Sequence, residues 1–171
     1  ENFRLLIKLF NFKKMNYELR EMLPEDGTQV LQIFEEGIAG GNATFDKEVP
    51  TWEYWDKNHF SACRFVAEDD NNNVVAWAAL KPVSNRECFS GVAEVSIYIT
   101  NSAQGKGLGK VLLQKLIIES EKNGFWMLQS GIFPENIASL RIHESLGFRT
   151  VGHREKIGQM SGVWRDIILM E

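Results

Sequence analysis

A strictly alternating segment runs almost directly into a helical one near the middle of this chain, and the joint between them is rich in glycine. Over Val92–Ile99, Ala93, Val95, Ile97 and Ile99 point one way and Glu94, Ser96 and Tyr98 the other, the period of a strand. Over about 107–123, Leu108, Val111, Leu112, Leu116 and Ile117 recur at helical spacing, and Gly124 ends the run. The joint reads Gln104-Gly105-Lys106-Gly107-Leu108-Gly109-Lys110. Glycines at alternate positions let backbone come close to a ligand. A helix start adds unpaired N–H groups and the positive end of the helix dipole. The segment therefore points to a phosphate or pyrophosphate. A Walker A loop does not fit, because Gln104 stands where its first glycine belongs and Val111 follows Lys110. The dinucleotide fingerprint fails on glycine spacing, and no acidic residue ends a following strand to hold a ribose.

The remaining pattern places this joint in a mixed sheet. Tyr17–Met22 reads as a first strand. Pro24-Glu25-Asp26 opens a helix with a stripe of Val30, Leu31, Phe34 and Ile38, broken at Gly40-Gly41. Trp52, Trp55 and His59 predict a second helix after Pro50-Thr51. Residues 64–68 and 74–81 read as an antiparallel pair around the turn Asp69-Asp70-Asn71-Asn72-Asn73. Residues 126–133 form a strand, 136–146 a short helix stopped by Gly147, and 148–153 and 163–170 the last two strands. The order βααβββαβαββ mixes hairpins with a β-helix-β crossover. It predicts an α/β (α+β) fold: a mixed, mostly antiparallel seven-stranded sheet with about four helices on both faces.

Composition narrows the partners. The 171 residues suit one domain at about 150 residues per domain. With 19 basic and 23 acidic residues the net charge is −4, which disfavours nucleic acid as the main partner. Cys63 and Cys88 form no C-x-x-C pair and read as buried thiols of a cytoplasmic protein; the three histidines show no metal-ligand spacing, so no metal is expected. No apolar run reaches the roughly 18 residues of a membrane span. Residues 1–14 read as a non-catalytic extension ahead of Met15, with a short amphipathic helix as the sharper reading; a signal peptide fits poorly. Residues 15–171 are then a single domain.

Gln104-x-x-Gly107-x-Gly109 resembles the acyl-CoA pyrophosphate loop of the GNAT N-acetyltransferases. Asn136-x-x-Ser139 followed by Leu146-Gly147-Phe148 is similar to the family's second signature, at the right distance downstream. Ala43-Thr44-Phe45, Val92–Ile99, Leu140-Arg141-Ile142-His143-Glu144 and Gly162-Val163-Trp164-Arg165-Asp166 resemble the phosphinothricin and methionine sulfone/sulfoximine acetyltransferase branch, over nearly the whole chain from Met15. Arg86-Glu87-Cys88-Phe89-Ser90-Gly91 departs from it, since the branch usually carries a more aromatic and arginine-rich substrate loop there.

The resemblance implies a GNAT fold and an acetyl-CoA-dependent N-acetyltransferase. It would move acetyl to the amino group of a small amino-acid-like substrate by direct attack of the amine on the thioester, as a homodimer. Acetylation of protein N-termini or ribosomal proteins, and non-catalytic acyl-CoA binding, are the other readings. Glu94 becomes the candidate base. His143 shares a helix face with Asn136 and Ser139 and is the candidate acid or base. Ile97, Tyr98, Ile99, Gln104, Gly105, Lys106, Gly107, Leu108, Gly109, Lys110, Asn136 and Ser139 are the candidate cofactor residues. Asn136 would bond the pantetheine amide and also suits a helix N-cap. Phe45, Arg86, Glu94, Val95 and Ser96 are the expected acceptor contacts. An anionic acceptor favours an arginine, and Arg86, with Lys81, lies nearest in sequence.

Overall fold

Val74–Leu80 is apolar at every position but no longer than a strand, a pattern that fits only a strand covered on both faces. In the computed structural model, which describes residues 17–171, every residue from Val74 to Leu80 is buried. The elements follow the order βααβββαβαββ. They are β1 (Tyr17–Glu21), α1 (Gly27–Ala39), α2 (Trp52–Lys57), β2 (Phe65–Asp69), β3 (Val74–Pro82), β4 (Val92–Ile99), α3 (Leu108–Lys122), β5 (Met127–Ile132), α4 (Ile137–Ser145), β6 (Thr150–Met160) and β7 (Val163–Met170). The sheet order is β1-β2-β3-β4-β5-β7-β6.

Each face has its own core. Val30, Ile33, Phe34 and Trp55 from α1 and α2 pack on Val66, Val74, Trp77 and Ala79. Leu108, Leu112, Leu113 and Leu116 of α3 pack on Phe65, Ala76, Ala78, Leu80, Ala93 and Val95 across the sheet. Burying each such leucine stabilises the fold by about 1.5–3 kcal/mol.

One joint is incomplete. All neighbouring strands are antiparallel except β4 and β5, and that parallel pairing covers three residue pairs only, ending at Glu94 opposite Gln129. Beyond it β4 stays on β3 while β5 turns to β7, from Ser130 opposite Met170. The sheet therefore opens as a wedge, and Val95–Ile99 have no strand partner on the β5 side.

Three expectations need correction. The second helix ends at Lys57, so His59 sits beyond it, buried, with its ring stacked 3.8 Å from Trp55. The strand expected over 148–153 is β6, which starts at Thr150 and runs on to Met160 through a register shift between Arg154 and Gly158; Ser161 and Gly162, both at positive φ, close the hairpin. Cys63 is buried, and burial pushes its thiol up to about 11, but Cys88 is exposed in the short turn between β3 and β4. The extension over residues 1–14 and the start at Met15 lie outside the described residues. Among the described residues no helix is long and apolar enough to cross a membrane, and no three His, Cys, Asp or Glu side chains are grouped to hold a metal.

Candidate active site

The wedge continues into a cleft of about 640 Å³. Its floor is Ile97, Tyr98 and Ile99 at the free end of β4. Gln104, Gly105, Gly107, Leu108 and Gly109 form one end. Glu36, Gly37, Gly40, Asn42 and Ala43 make one wall; Glu135, Asn136, Ser139, Ile142 and His143 belong to the other.

The glycines of the turn do different work. Gly105 and Gly107 adopt φ of 73° and 85°, where an L side chain is strained. Gly107 is the N-cap of α3 and no side chain caps that end, so the first N–H groups remain available to an anion. Gly109 is a packing residue: a Cβ there would lie 3.1 Å from the Ile142 side chain and 3.3 Å from that of Ile99. The two lysines do not line the cleft. Lys106 Nζ donates to the Tyr17 hydroxyl at 3.1 Å and lies 5.8 Å above its ring.

His143 has a defined proton arrangement. Its Nδ1 lies 2.8 Å from the Ser139 carbonyl, which only accepts, so Nδ1 carries the hydrogen. Nε2 is left as an acceptor, buried and without a partner among the described residues. Burial lowers the pKa below 6.5, so the ring is neutral at neutral pH. Phe148 fixes its plane edge-on at 4.9 Å. Asn136 is the N-cap of α4: its Oδ1 accepts from the Ser139 N–H at 3.1 Å, and its Nδ2 donates across the cleft to the Asn42 carbonyl, also at 3.1 Å.

Glu94 stands at the apex of the wedge, opposite Lys81 on β3 and Gln129 on β5. It is half-buried, and its carboxylate has no hydrogen bond or ion pair among the described residues. Tyr98, on the same face, stacks on Trp77 at 4.7 Å and lies over Gly37, where a Cβ would come within 2.6 Å of the ring. Its hydroxyl donates to the Ala43 carbonyl at 3.4 Å, and burial pushes the phenol above its usual range.

The expected acceptor residues are scattered. Phe45 meets Phe133 edge to face at 4.8 Å. Val95 turns its side chain into the core on the α3 face, leaving only its backbone to meet an acceptor. Ser96 shares the strand face of Glu94. Arg86 is exposed between β3 and β4, 5.3 Å above the Phe89 ring, and does not line the cleft. Sequence reasoning missed Glu36, whose Oε2 accepts from the Asn101 N–H at 2.7 Å, as well as Asn42, Glu135 and Arg165. Arg165 lies in the Gly162–Asp166 segment that resembles the branch, though nothing there gives it a role; no local pattern marks the other three.

Comparison with known proteins gives the family. The acetyltransferase (GNAT) family matches residues 27–148. YwnH of Bacillus subtilis, provisionally named as a phosphinothricin acetyltransferase, is 35% identical over 145 residues, 82% of this chain and 89% of that one. The L-methionine sulfoximine/L-methionine sulfone acetyltransferase of Salmonella typhimurium is 33% identical over 62% of each chain. A phosphinothricin acetyltransferase from Sinorhizobium meliloti, whose structure was solved with acetyl-CoA, superposes with a TM-score of 0.83 at 27% identity, over 91% of this chain and 87% of that one. A strand pair that parts over a glycine-built helix start, joined to this agreement in sequence and fold, makes the chain a member of the acetyltransferase (GNAT) family, an N-acetyltransferase of the phosphinothricin acetyltransferase type.

Proposed function

We propose that the chain transfers the acetyl group of acetyl-CoA to the amino group of a small amino-acid-like acceptor, of the phosphinothricin, methionine sulfone or methionine sulfoximine class. The observation that carries this reading is the cleft itself. It joins uncapped backbone N–H groups at the start of α3 to a neutral His143 whose Nε2 has no partner among the described residues.

These features fit acetyl-CoA. The N–H groups from Gly105 to Lys110 take the pyrophosphate. The unpaired edge of β4 runs beside the pantetheine arm, and a backbone N–H near Ile97 polarises the thioester carbonyl. Asn136 offers its Nδ2 to a pantetheine amide, with Ser139 beside it. In the reaction the amine nitrogen bonds to the carbonyl carbon, the C–S bond breaks, and one proton moves from nitrogen to the departing sulfur. Before attack Glu94 takes one proton from the acceptor's ammonium, directly or through a water, and passes it to solvent after turnover. His143 orients the reacting groups as a hydrogen-bond acceptor at Nε2; a neutral ring with its hydrogen on Nδ1 has none to give at that atom. Residues 15–171 act as one catalytic domain, in a cytoplasmic homodimer.

A thiol-release assay with acetyl-CoA tests the reading across phosphinothricin, methionine sulfone, methionine sulfoximine, amino acids, polyamines and a basic peptide with a free N-terminus. Turnover is expected with the first three. Turnover with the peptide alone, or acetyl-CoA binding without turnover of any amine, would replace the reading.

A further inference from the structure

Arg165 lies on β7 with its side chain only 16% exposed, and its guanidinium reaches three separate segments. Nη1 donates to the Gly41 carbonyl at 3.1 Å and lies 3.9 Å from the Met160 sulfur. Nη2 donates to Asn42 Oδ1 at 2.9 Å and to Glu135 Oε2 at 3.1 Å. The guanidinium also covers the Phe133 ring at 4.2 Å, and Phe133 carries Phe45. Phe45 lies over Gly158 of β6, where a Cβ would come within 2.5 Å of the ring.

Apart from Arg165 the segment is held by side chains: Tyr98 on the Ala43 carbonyl, Asn136 on the Asn42 carbonyl, and the packing of Phe45. After α1 the chain forms no helix or strand until Trp52, and Gly41 turns it at a φ of 71°. Backbone without a ladder is the part of a protein that opens most readily. Two side chains grip Asn42: Arg165, held at Glu135, takes its amide oxygen, and Asn136 on the same wall takes its carbonyl. Arg165 also compensates Glu135, a 58% exposed carboxylate on the rim that would repel an anionic acceptor. A guanidinium is a rigid planar fork, and this one is already committed to protein oxygens.

We infer that Arg165 is a positioning residue for the acceptor. It clasps the Gly41–Phe45 turn to the Glu135–Asn136 wall, so that an amine with a nearby carboxylate meets the cleft in one orientation. The inference rests on the N-acetyltransferase reading of the same cleft.

Three measurements on Arg165→Ala and Arg165→Lys test it: amide hydrogen exchange over residues 41–45, acetyl-CoA affinity by calorimetry, and steady-state kinetics with the acceptor. In Arg165→Ala, exchange over 41–45 accelerates at least about tenfold. Acceptor kcat/KM falls on the order of 10²-fold, the scale of a misplaced reactant. Acetyl-CoA affinity stays within about twofold, because Arg165 touches none of the backbone at the start of α3 that is proposed to hold the pyrophosphate and Asn136 keeps its own bond to the Asn42 carbonyl. Arg165→Lys keeps the charge but cannot fork to Gly41 and Asn42 together, and falls between. Unchanged exchange and acceptor kinetics in Arg165→Ala would overturn the clasp, as would a loss of acetyl-CoA affinity parallel to the loss of acceptor kinetics. If Arg165→Ala does not fold, Arg165→Lys decides, and wild-type behaviour overturns the fork. If the wild type acetylates no amine, the proposed function fails, while exchange and acetyl-CoA affinity still test whether Arg165 holds the turn.

Discussion

The two ends of the cleft are built from different materials. The end proposed for the phosphate is backbone: Gly105, Gly107 and the first turn of α3 form one continuous stretch of chain. The end proposed for the acceptor is side chains from distant segments, and the bond from Arg165 to Gly41 spans 124 residues. A backbone site is set by local sequence and tolerates side-chain change. A side-chain site depends on tertiary packing and fails when one member is removed.

Substitutions that act on one end only sharpen that contrast. The largest effect is expected for Glu94→Ala, which should lower kcat by about 10²–10⁴-fold, the range for a general base, with acetyl-CoA affinity unchanged by calorimetry. Equal turnover at every pH would remove Glu94 from the chemistry. His143→Ala should cost about tenfold in kcat, the scale of losing a charge-assisted or buried hydrogen bond. Because burial lowers the His143 pKa, the acid limb that this residue contributes to the kcat/KM profile lies below 6.5 and disappears in the variant. At the phosphate end, Gly107→Ala strains a φ of 85° by about 1–2 kcal/mol and should weaken acetyl-CoA roughly tenfold with little change in kcat. Lys106→Met should be smallest, within about twofold in affinity, as expected for an exposed charge; a tenfold loss would mean that this end relies on side chains after all.

Stability has its own acid dependence, carried by a histidine outside the cleft. His59 is buried with its Nδ1 on the Trp55 carbonyl, and burial lowers its pKa from 6.5 to about 4. The unfolded chain binds this proton at a higher pH than the folded one does. The contribution is therefore complete above pH 6.5 and is lost as pH falls from 6.5 towards about 4. Thermal melts of His59→Phe should show a flatter slope across that window, and an unaltered slope would assign the acid sensitivity elsewhere.

Residues that act within one turn of chain are legible in the amino-acid sequence. The glycine spacing of 105–109 marks the positive-φ turn into an uncapped helix start, and Asn136 with Ser139 marks a capped one. Spacing also puts His143 on the right helix face, but its tautomer depends on the Ser139 carbonyl and on burial. His59 defeats the same logic: it shares helical spacing with Trp52 and Trp55, yet the helix stops at Lys57. Cys88 runs against the usual burial of thiols because it sits in a short surface turn. Arg86 is favoured for the acceptor only by closeness in sequence. The guanidinium that does reach the rim comes from β7, and only the packing of β7 on β5 brings it there.

A site that handles an activated acyl donor exposes its own surroundings to acylation. Lysine side chains are the amines most at risk, and losing their charge would weaken a phosphate site made from them. Here Lys106 and Lys110 stand beside the cleft without lining it, and the anion-facing groups are peptide N–H donors. Peptide nitrogens are not nucleophiles, so the groups proposed to hold the donor are ones it cannot modify.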